Sequence, residues 1–431
     1  MVIAIFIISM LAGIAIGLPI AVSLLFCAVS TALSLGGGDA NPAILARTLM
    51  QGTDSVSMMA LPFFILAGEI MNRGGLTGRI IAFCNVFFGR RRGGLGYVTI
   101  FACLMFASLV GSAVAACAAL GGMLIPMMVK SGYNREEASA LVANANIVAP
   151  IMPPSVPFIV YSISAGVSVK SMFMGGIAPA IYLTLVNCAV WFFKTKKPGV
   201  VADVSNAPRY TVKETLRILA DGSWALLCPV IILVGLRSGI FTATEAGVVS
   251  CVYALAIGLF VYRELTLKSL RAAFISAAKM TATVMFLAAA ANCAAYYMTI
   301  SRIPQILTGS LDTLVEQPRL LMFVLLCIVV VVGLAMDVTP SILILTPIML
   351  PLVKAAGIDP VCFGVIFCLM NVLGLTSPPV GPILNVACAA GKVKMDRIIP
   401  PTMPYFLVQT ALCFLMGIFP ELVEIPLRFF D

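Results

Sequence analysis

The groups in this 431-residue chain whose types and spacing could do chemistry are Ser, Thr and Asn oxygens and backbone carbonyls freed by proline, and they gather at two places. The first is Ala149-Pro150-Ile151-Met152-Pro153-Pro154-Ser155-Val156-Pro157, with four prolines in nine residues of an apolar run. A proline inside a helix lacks its N–H and clashes with the carbonyl four residues back. Pro153, Pro154 and Pro157 therefore free the carbonyls of Ala149, Pro150 and Pro153. The second place is Gly374-Leu375-Thr376-Ser377-Pro378-Pro379-Val380-Gly381-Pro382, where Pro378, Pro379 and Pro382 repeat the phase of Pro153, Pro154 and Pro157 at one constant offset. Freed carbonyls, hydroxyls and amides are neutral oxygen ligands suited to a dehydrated alkali cation, and the half-helix N-termini beside them offer N–H groups and positive dipole ends to a carboxylate. A sodium-coupled carrier of an organic anion needs both.

Other side chains admit two readings. Asp337, a carboxylate in an apolar run, costs roughly 2.5–3.5 kcal/mol to insert and reads as a cation ligand or gate; the alternative is a water-exposed cap at a hairpin tip, with Ser341 close behind. Glu69 reads as a structural or near-interface contact. Asn146 and Asn371 are related by the same offset as the prolines, and helix–helix hydrogen bonding competes with a site role for both. Ser108, Ser112, Thr376 and Ser377 can line a site or bond their own backbone.

The elements that must position these groups are membrane helices. With 61% hydrophobic and 10% charged residues and a mean hydropathy of +1.09, the chain lies far outside the range of soluble domains. Long apolar runs carrying internal Gly, Pro, Ser and Thr fit an all-α polytopic membrane protein and not a β-barrel. The net charge of +9 reports topology and not nucleic-acid binding. The 13 cysteines stand mostly singly in apolar runs with no C-x-x-C pair, so they read as packing residues, and with no histidine the chain lacks the usual transition-metal ligand. Met1 to Leu35 has no basic n-region or cleavage site and reads as retained membrane helix, in two short spans or one kinked one.

The proline offset also relates Pro126 to Pro351, Gly132 to Gly357, Ala165-Gly166 to Ala390-Gly391, and Pro179 to Pro404. It predicts two related halves: residues 1–193, a cytoplasmic linker at 194–222, and residues 223–431. In the first half a polar loop at 36–55 precedes a span from about 58 to 71. A re-entrant hairpin follows at about 97–129 with its tip near Gly111-Ser112, then a broken helix at about 138–165 and a span at 172–193. The second half has spans at 223–240, 245–262 and 276–300, a hairpin at about 319–353, a broken helix at about 361–390 and a last span at 404–420. Five full crossings plus a hairpin per half would invert the second repeat against the first. Under that topology 20 of the 27 Lys and Arg residues fall on the cytoplasmic side, as the positive-inside rule requires. Paired interrupted segments in corresponding positions point to a secondary transporter's binding site.

Several runs together resemble the large membrane subunit of tripartite ATP-independent periplasmic (TRAP) transporters. They are Leu61-Pro62-Phe63-Phe64-Ile65-Leu66-Ala67-Gly68, Gly111-Ser112-Ala113-Val114-Ala115, Pro153-Pro154-Ser155-Val156-Pro157, Gly333-Leu334-Ala335-Met336-Asp337-Val338-Thr339-Pro340, Leu345-Thr346-Pro347, Gly357-Ile358-Asp359-Pro360 and Thr376-Ser377-Pro378-Pro379-Val380-Gly381. The resemblance spans essentially the whole chain. It implies an elevator-type carrier of the ion-transporter superfamily in the bacterial inner membrane, driven by sodium and without a further cofactor. Such a carrier takes an organic acid from a periplasmic binding protein and works with a small four-helix membrane subunit, expected here as a separate chain. Carried over by position, one sodium site involves Ser108, Gly111, Ser112, Asn146, Ala149, Pro150 and Pro153, and the other Gly333, Asp337, Thr339, Asn371, Gly374, Thr376 and Ser377. Ser112, Pro154, Ser155, Pro379 and Val380 would line the substrate. Where many such subunits carry a second serine and a later aspartate in the first hairpin, this chain has Ala113 and Ala116, which shifts the expected ligation of the first site toward backbone carbonyls. A stand-alone sodium- or proton-coupled carrier is the nearest alternative. A membrane enzyme would need an acid–base or metal cluster that the apolar runs do not contain, and a structural scaffold would not need a repeated broken helix.

Overall fold

The computed structural model describes residues 2–36, 41–197, 200, 210–310, 312–334, 336–378 and 381–430, and every regular element among them is helical. Among the described residues seven helices are long and apolar enough to cross a membrane, or eight if one bent pair counts as a span. The N-terminal run forms two helices, α1 (Val2–Ala15) and α2 (Ile20–Leu35), packed on each other. Between them lie Gly17 at φ +84° and Pro19, which reverse the chain.

The polar loop expected at 36–55 is partly helix. The Asn41 side chain caps α3 (Pro42–Gln51) by accepting from Ala43 N at 2.9 Å, and Pro42 supplies the preset φ of a first helical residue. The helix α3 meets a short 3-10 turn and α4 (Ala60–Arg73) at a 56° bend. The connector α5 (Leu76–Phe88) leads to α6 (Gly94–Val110) and α7 (Ala113–Lys130), which turn at Gly111-Ser112. Then come α8 (Arg135–Ala145), a 3-10 turn over 146–148, α9 (Val156–Ala165) and α10 (Val169–Lys194).

The linker expected to reach residue 222 ends sooner. A capping box between Thr211 and Glu214 starts α11 (Val212–Arg237), so its first turns are polar residues on a membrane helix that begins outside the apolar layer. The later helices are α12 (Ala243–Ala256), α13 (Leu267–Ile300), α14 (Ile303–Ser310), α15 (Asp312–Val315), α16 (Pro318–Gly333), α17 (Val338–Ala355), α18 (Pro360–Gly374), α19 (Pro382–Gly391), α20 (Met395–Ile418) and α21 (Glu421–Phe430). Two of these depart from expectation: α20 begins at Met395, well before the span placed at 404, and α21 follows it.

The helices pack in two groups. One joins α1–α4 with α11–α13, and α5 lies between the groups, packed on α11 and on α6. The other joins both hairpins, both broken helices, α10 and α20. A clamp holds α5 to the first group: Arg79 Nη1 donates to Gly75 O and to Glu264 Oε1, each at 2.7 Å, while its guanidinium lies 3.8 Å from the centre of the Tyr262 ring. Burial pushes the Tyr262 phenol up to about 12, so it stays protonated at neutral pH and donates to Asp221 O at 2.6 Å. Glu69 bridges α4 to α13 by accepting from Ser276 Oγ at 2.9 Å, a structural contact.

The second group is tied by buried polar side chains. Gln409 Nε2 donates to Asn187 Oδ1 at 2.7 Å and to Asn144 O at 3.3 Å, joining α8, α10 and α20, while Asn144 Oδ1 and Gln409 Oε1 have no hydrogen-bond partner among the described residues. At one end of these helices Lys194 Nζ donates to Glu137 Oε2 at 2.6 Å and to Pro401 O at 2.7 Å, with the lysine side chain 7% exposed. Removing one partner of a buried pair strands the other charge. Glu137→Ala is expected to lower stability by about 3 kcal/mol, while the double change Glu137→Leu with Lys194→Met recovers most of it. Thermal unfolding of the two variants against the wild type checks this, and equal losses in the single and double variants would show that the pair is not coupled.

Candidate functional site

The first interruption begins where α8 runs out at Asn146. Its 3-10 turn ends at Val148, and α9 starts only at Val156, after a cis peptide between Pro153 and Pro154. Ser155 holds this gap closed: its hydroxyl donates to Pro150 O, one of the carbonyls freed by proline, and accepts from Phe158 N at 3.2 Å as the N-cap of α9. Ala149 and Asn146 are fully buried. At the second interruption α18 ends at Gly374, and the Thr376 and Ser377 hydroxyls donate to their own backbone, at Leu373 O (3.1 Å) and Gly374 O (2.6 Å). Pro379 and Val380, expected against the substrate, lie outside the described residues.

Each hairpin tip reaches an interruption. Gly111, at φ +62°, lies so close to the first break that a Cβ on it would sit 2.9 Å from Pro154 O and 3.6 Å from Val156 N. Ser112 caps α7, accepting from Ala115 N at 3.5 Å, and Ser108 bonds back to Met105 O at 2.7 Å. In the second half Gly333 and Gly374 cross backbone to backbone: a Cβ on Gly374 would collide with Gly333 O and lie 2.7 Å from its carbonyl carbon. Thr339 is half-buried near the start of α17. Asp337 is exposed at the tip and caps α17, its Oδ1 accepting from Val338 N at 2.8 Å.

The two halves interlock. Helix α7 packs on α19 and helix α17 on α9, so the second arm of each hairpin lies on the other half's broken helix. Tyr161 of α9 meets Phe363 and Phe367 of α18, with ring centres 6.5 and 5.9 Å away, and a Cβ on Gly364 would enter the Tyr161 ring.

The two asparagines differ in one respect. Asn146 Nδ2 donates to Val142 O at 2.7 Å and Asn371 Nδ2 to Phe367 O at 2.9 Å, so both amides are oriented by the carbonyl four residues back. Asn371 Oδ1 accepts from the Ser341 hydroxyl. Asn146 Oδ1, equally buried, has no hydrogen-bond partner among the described residues. A neutral carbonyl-type oxygen left open beside a helix break fits an alkali cation. Among the described residues no group of three His, Cys, Asp or Glu side chains is placed to hold a metal ion.

Sequence reasoning did not find Ser341 as the partner of Asn371, although the offset between the prolines relates position 341 to Ala116. Nor did it find Gly68 of α4, where a Cβ would lie 3.0 Å from Leu109 O just before the first tip. The Ala67-Gly68 pair inside an otherwise bulky apolar helix was the available signal. Toward the ends of the helices remote from the basic Arg90–Arg92, Lys130 and Lys194–Lys197 segments, a cavity of about 860 Å³ lies between the end of α3 with the turn that follows it, α13 and α14 on one side and α9 and α17 on the other. Gln51, Ser55, Asn292, Thr299 and Gln305 line it, and none of its lining residues is charged.

A bundle of membrane helices with two interrupted segments, each met by a hairpin tip, is a transporter's architecture. The chain belongs to the family described as "Tripartite ATP-independent periplasmic transporter, DctM component", which matches residues 7–422. It is therefore a large TRAP permease, a multi-pass membrane protein of a transport family and not an enzyme. It is 43% identical to the 2,3-diketo-L-gulonate TRAP transporter large permease protein of Escherichia coli over 100% of both chains. It is also 34% identical to the C4-dicarboxylate TRAP transporter large permease protein of Pseudomonas aeruginosa, over 84% of each chain. The isethionate TRAP transporter permease protein DctMQ of Oleidesulfovibrio alaskensis is 33% identical over 94% of this chain, which covers 63% of that protein. Among solved structures, the Alcanivorax borkumensis YdaH transporter has a similar fold, with a TM-score of 0.64 at 16% identity over 91% of both chains.

Proposed function

We propose that this permease uses an inward sodium gradient to carry a small hydroxylated or keto organic acid across the bacterial inner membrane, working with a small four-helix membrane subunit and a periplasmic binding protein. The observation that carries the sodium reading is the open, fully buried Asn146 oxygen beside a proline-broken helix, a neutral ligand where a proton-coupled site would need a titratable group. The DctMQ relative supports a small partner subunit, and the family's printed description supports a periplasmic component. The substrate class follows from the uncharged, hydrogen-bonding lining of the 860 Å³ cavity, suited to hydroxyls and ketones, and from the diketogulonate named for the 43%-identical relative.

The same reading makes the two halves inverted repeats and the transport step an elevator movement of the second helix group against the first. Helix bounds support the repeat: α7 starts at Ala113 and α17 at Val338, and α8 starts at Arg135 and α18 at Pro360, both pairs at the offset that relates the prolines. The glycine contact of Gly68 with the first hairpin supports a sliding boundary, since small residues let backbones approach without interlocking side chains.

The test is uptake of 2,3-diketo-L-gulonate by proteoliposomes holding the chain and its small subunit, with and without binding protein and an inward sodium gradient. Uptake that needs both is expected, with a fall to background when choline replaces sodium. Gradient-driven uptake without the binding protein would instead support the stand-alone carrier, and sodium-independent uptake would end the sodium reading.

A further inference from the structure

We propose that Asn146 Oδ1 is held open for the coupling cation because Ala116 withholds the hydroxyl that Ser341 supplies to Asn371, so that the first helix break depends on the ion to satisfy its buried amide and the second does not. This inference rests on the sodium-coupled reading and concerns which residues make the two interruptions unequal.

The two asparagines are a matched pair. They are related by the proline offset, each stands near the end of a half-helix, and each is pinned by its Nδ2 to the carbonyl one turn back, at 2.7 Å for Asn146 and 2.9 Å for Asn371. That shared anchor fixes where each side-chain oxygen points. Ser341 stands on α17, the second arm of its hairpin, and its hydroxyl donates to Asn371 Oδ1. The corresponding position on α7 is residue 116, a fully buried alanine, and α7 packs against the 146–148 turn. A methyl group has no proton to give. Both asparagines are at most 1% exposed, so water outside the protein does not reach the open oxygen either.

An unsatisfied amide oxygen in a buried setting is unfavourable, and a bound cation relieves it. The ion-free protein is therefore weakened at the first break and self-satisfied at the second. Binding at the first break gains the relief of that open oxygen, which makes occupancy there the step most sensitive to sodium. Restoring a donor at residue 116 removes the gain, and deleting the donor at residue 341 creates a second open oxygen.

Thermal unfolding of the full-length chain in detergent, in sodium chloride against choline chloride at equal ionic strength, reads this without any transport assay. Sodium is expected to raise the wild-type midpoint. Ala116→Ser should raise the midpoint in choline, shrink the sodium-induced rise and increase the sodium concentration for half of that rise about tenfold. Ser341→Ala should do the reverse, with a lower midpoint in choline and a larger sodium-induced rise, and it tests the inference even if residue 116 accepts no added atom. A sodium effect in the wild type that neither variant alters would overturn the inference and leave sodium coupling standing. An Ala116→Ser protein that responds more strongly to sodium would also overturn it, by showing that the added hydroxyl acts as a ligand. No sodium effect on wild-type midpoint or uptake removes this inference together with the reading it rests on.

Discussion

Gly374→Ala is expected to abolish uptake while leaving the protein in the membrane. The added methyl would meet main chain and not a movable side chain: it collides with Gly333 O and lies 2.7 Å from the Gly333 carbonyl carbon and 2.9 Å from its Cα. Overpacking a core typically costs about 1–3 kcal/mol, and backbone against backbone sits at the upper end because neither partner can change rotamer. Relief of the clash moves the second hairpin tip away from the α18 end and so away from Asn371, whose carbonyl oxygen and Cα would lie 3.7 and 4.0 Å from a Cβ on Gly333. A shift of about 1 Å in a positioned site can cost about a hundredfold in rate. Uptake into proteoliposomes, normalised to inserted protein, is the measurement. Retention of more than a tenth of wild-type uptake would mean that the glycine crossing is not needed for transport. Gly364→Ala, which strikes the flexible edge of the Tyr161 ring and not a backbone, should be milder.

Ser155→Ala should be nearly as damaging, through a different cause. One hydroxyl makes two bonds at the first break, donating to Pro150 O and accepting from Phe158 N at 3.2 Å, and it is fully buried. Losing an N-cap costs about 0.5–2 kcal/mol, and leaving the Pro150 carbonyl without its donor adds about 1–3 kcal/mol. A combined loss of about 2–4 kcal/mol should appear as a lower unfolding midpoint and as uptake reduced by at least tenfold. Ser155→Thr keeps the hydroxyl and should retain most of both. If Ser155→Ala unfolds at the wild-type midpoint, the freed carbonyl has another partner and the serine is not what closes the gap.

Local chemistry explains why much of the fold is legible in the residues. A proline ends an α-helix by steric clash and by its missing donor, whatever surrounds it, so the interruptions at 149–155 and after Gly374 follow from the sequence. Glycines at φ +62° and +68° mark the first hairpin turn and the end of α9, at Gly111 and Gly166, for an equally local reason. Helix starts are less legible where polarity and helicity part company. The segments Pro42–Gln51 and Val212 to Gly222 read as loop and linker because they are polar, yet the Asn41 cap and the Thr211–Glu214 capping box make them helical. Caps act through single hydrogen bonds and leave little mark on hydropathy.

By itself, then, the sequence determined an all-α membrane protein with two interrupted segments at matching positions, because hydropathy, proline geometry and a fixed spacing between prolines are properties of the chain and not of its packing. Which side chains meet was decided only by the tertiary structure. Asp337 shows this: its type and setting allow a cation ligand or a cap, and only the structure sets its Oδ1 2.8 Å from Val338 N at the start of α17. The asparagines show it again. Asn146 and Asn371 stand at the same offset as the prolines, and they differ because the Ser341 hydroxyl reaches Asn371 Oδ1 while no donor among the described residues reaches Asn146 Oδ1. Hydrogen bonds act over about 3 Å, a range at which neighbours are set by helix packing and not by spacing along the chain.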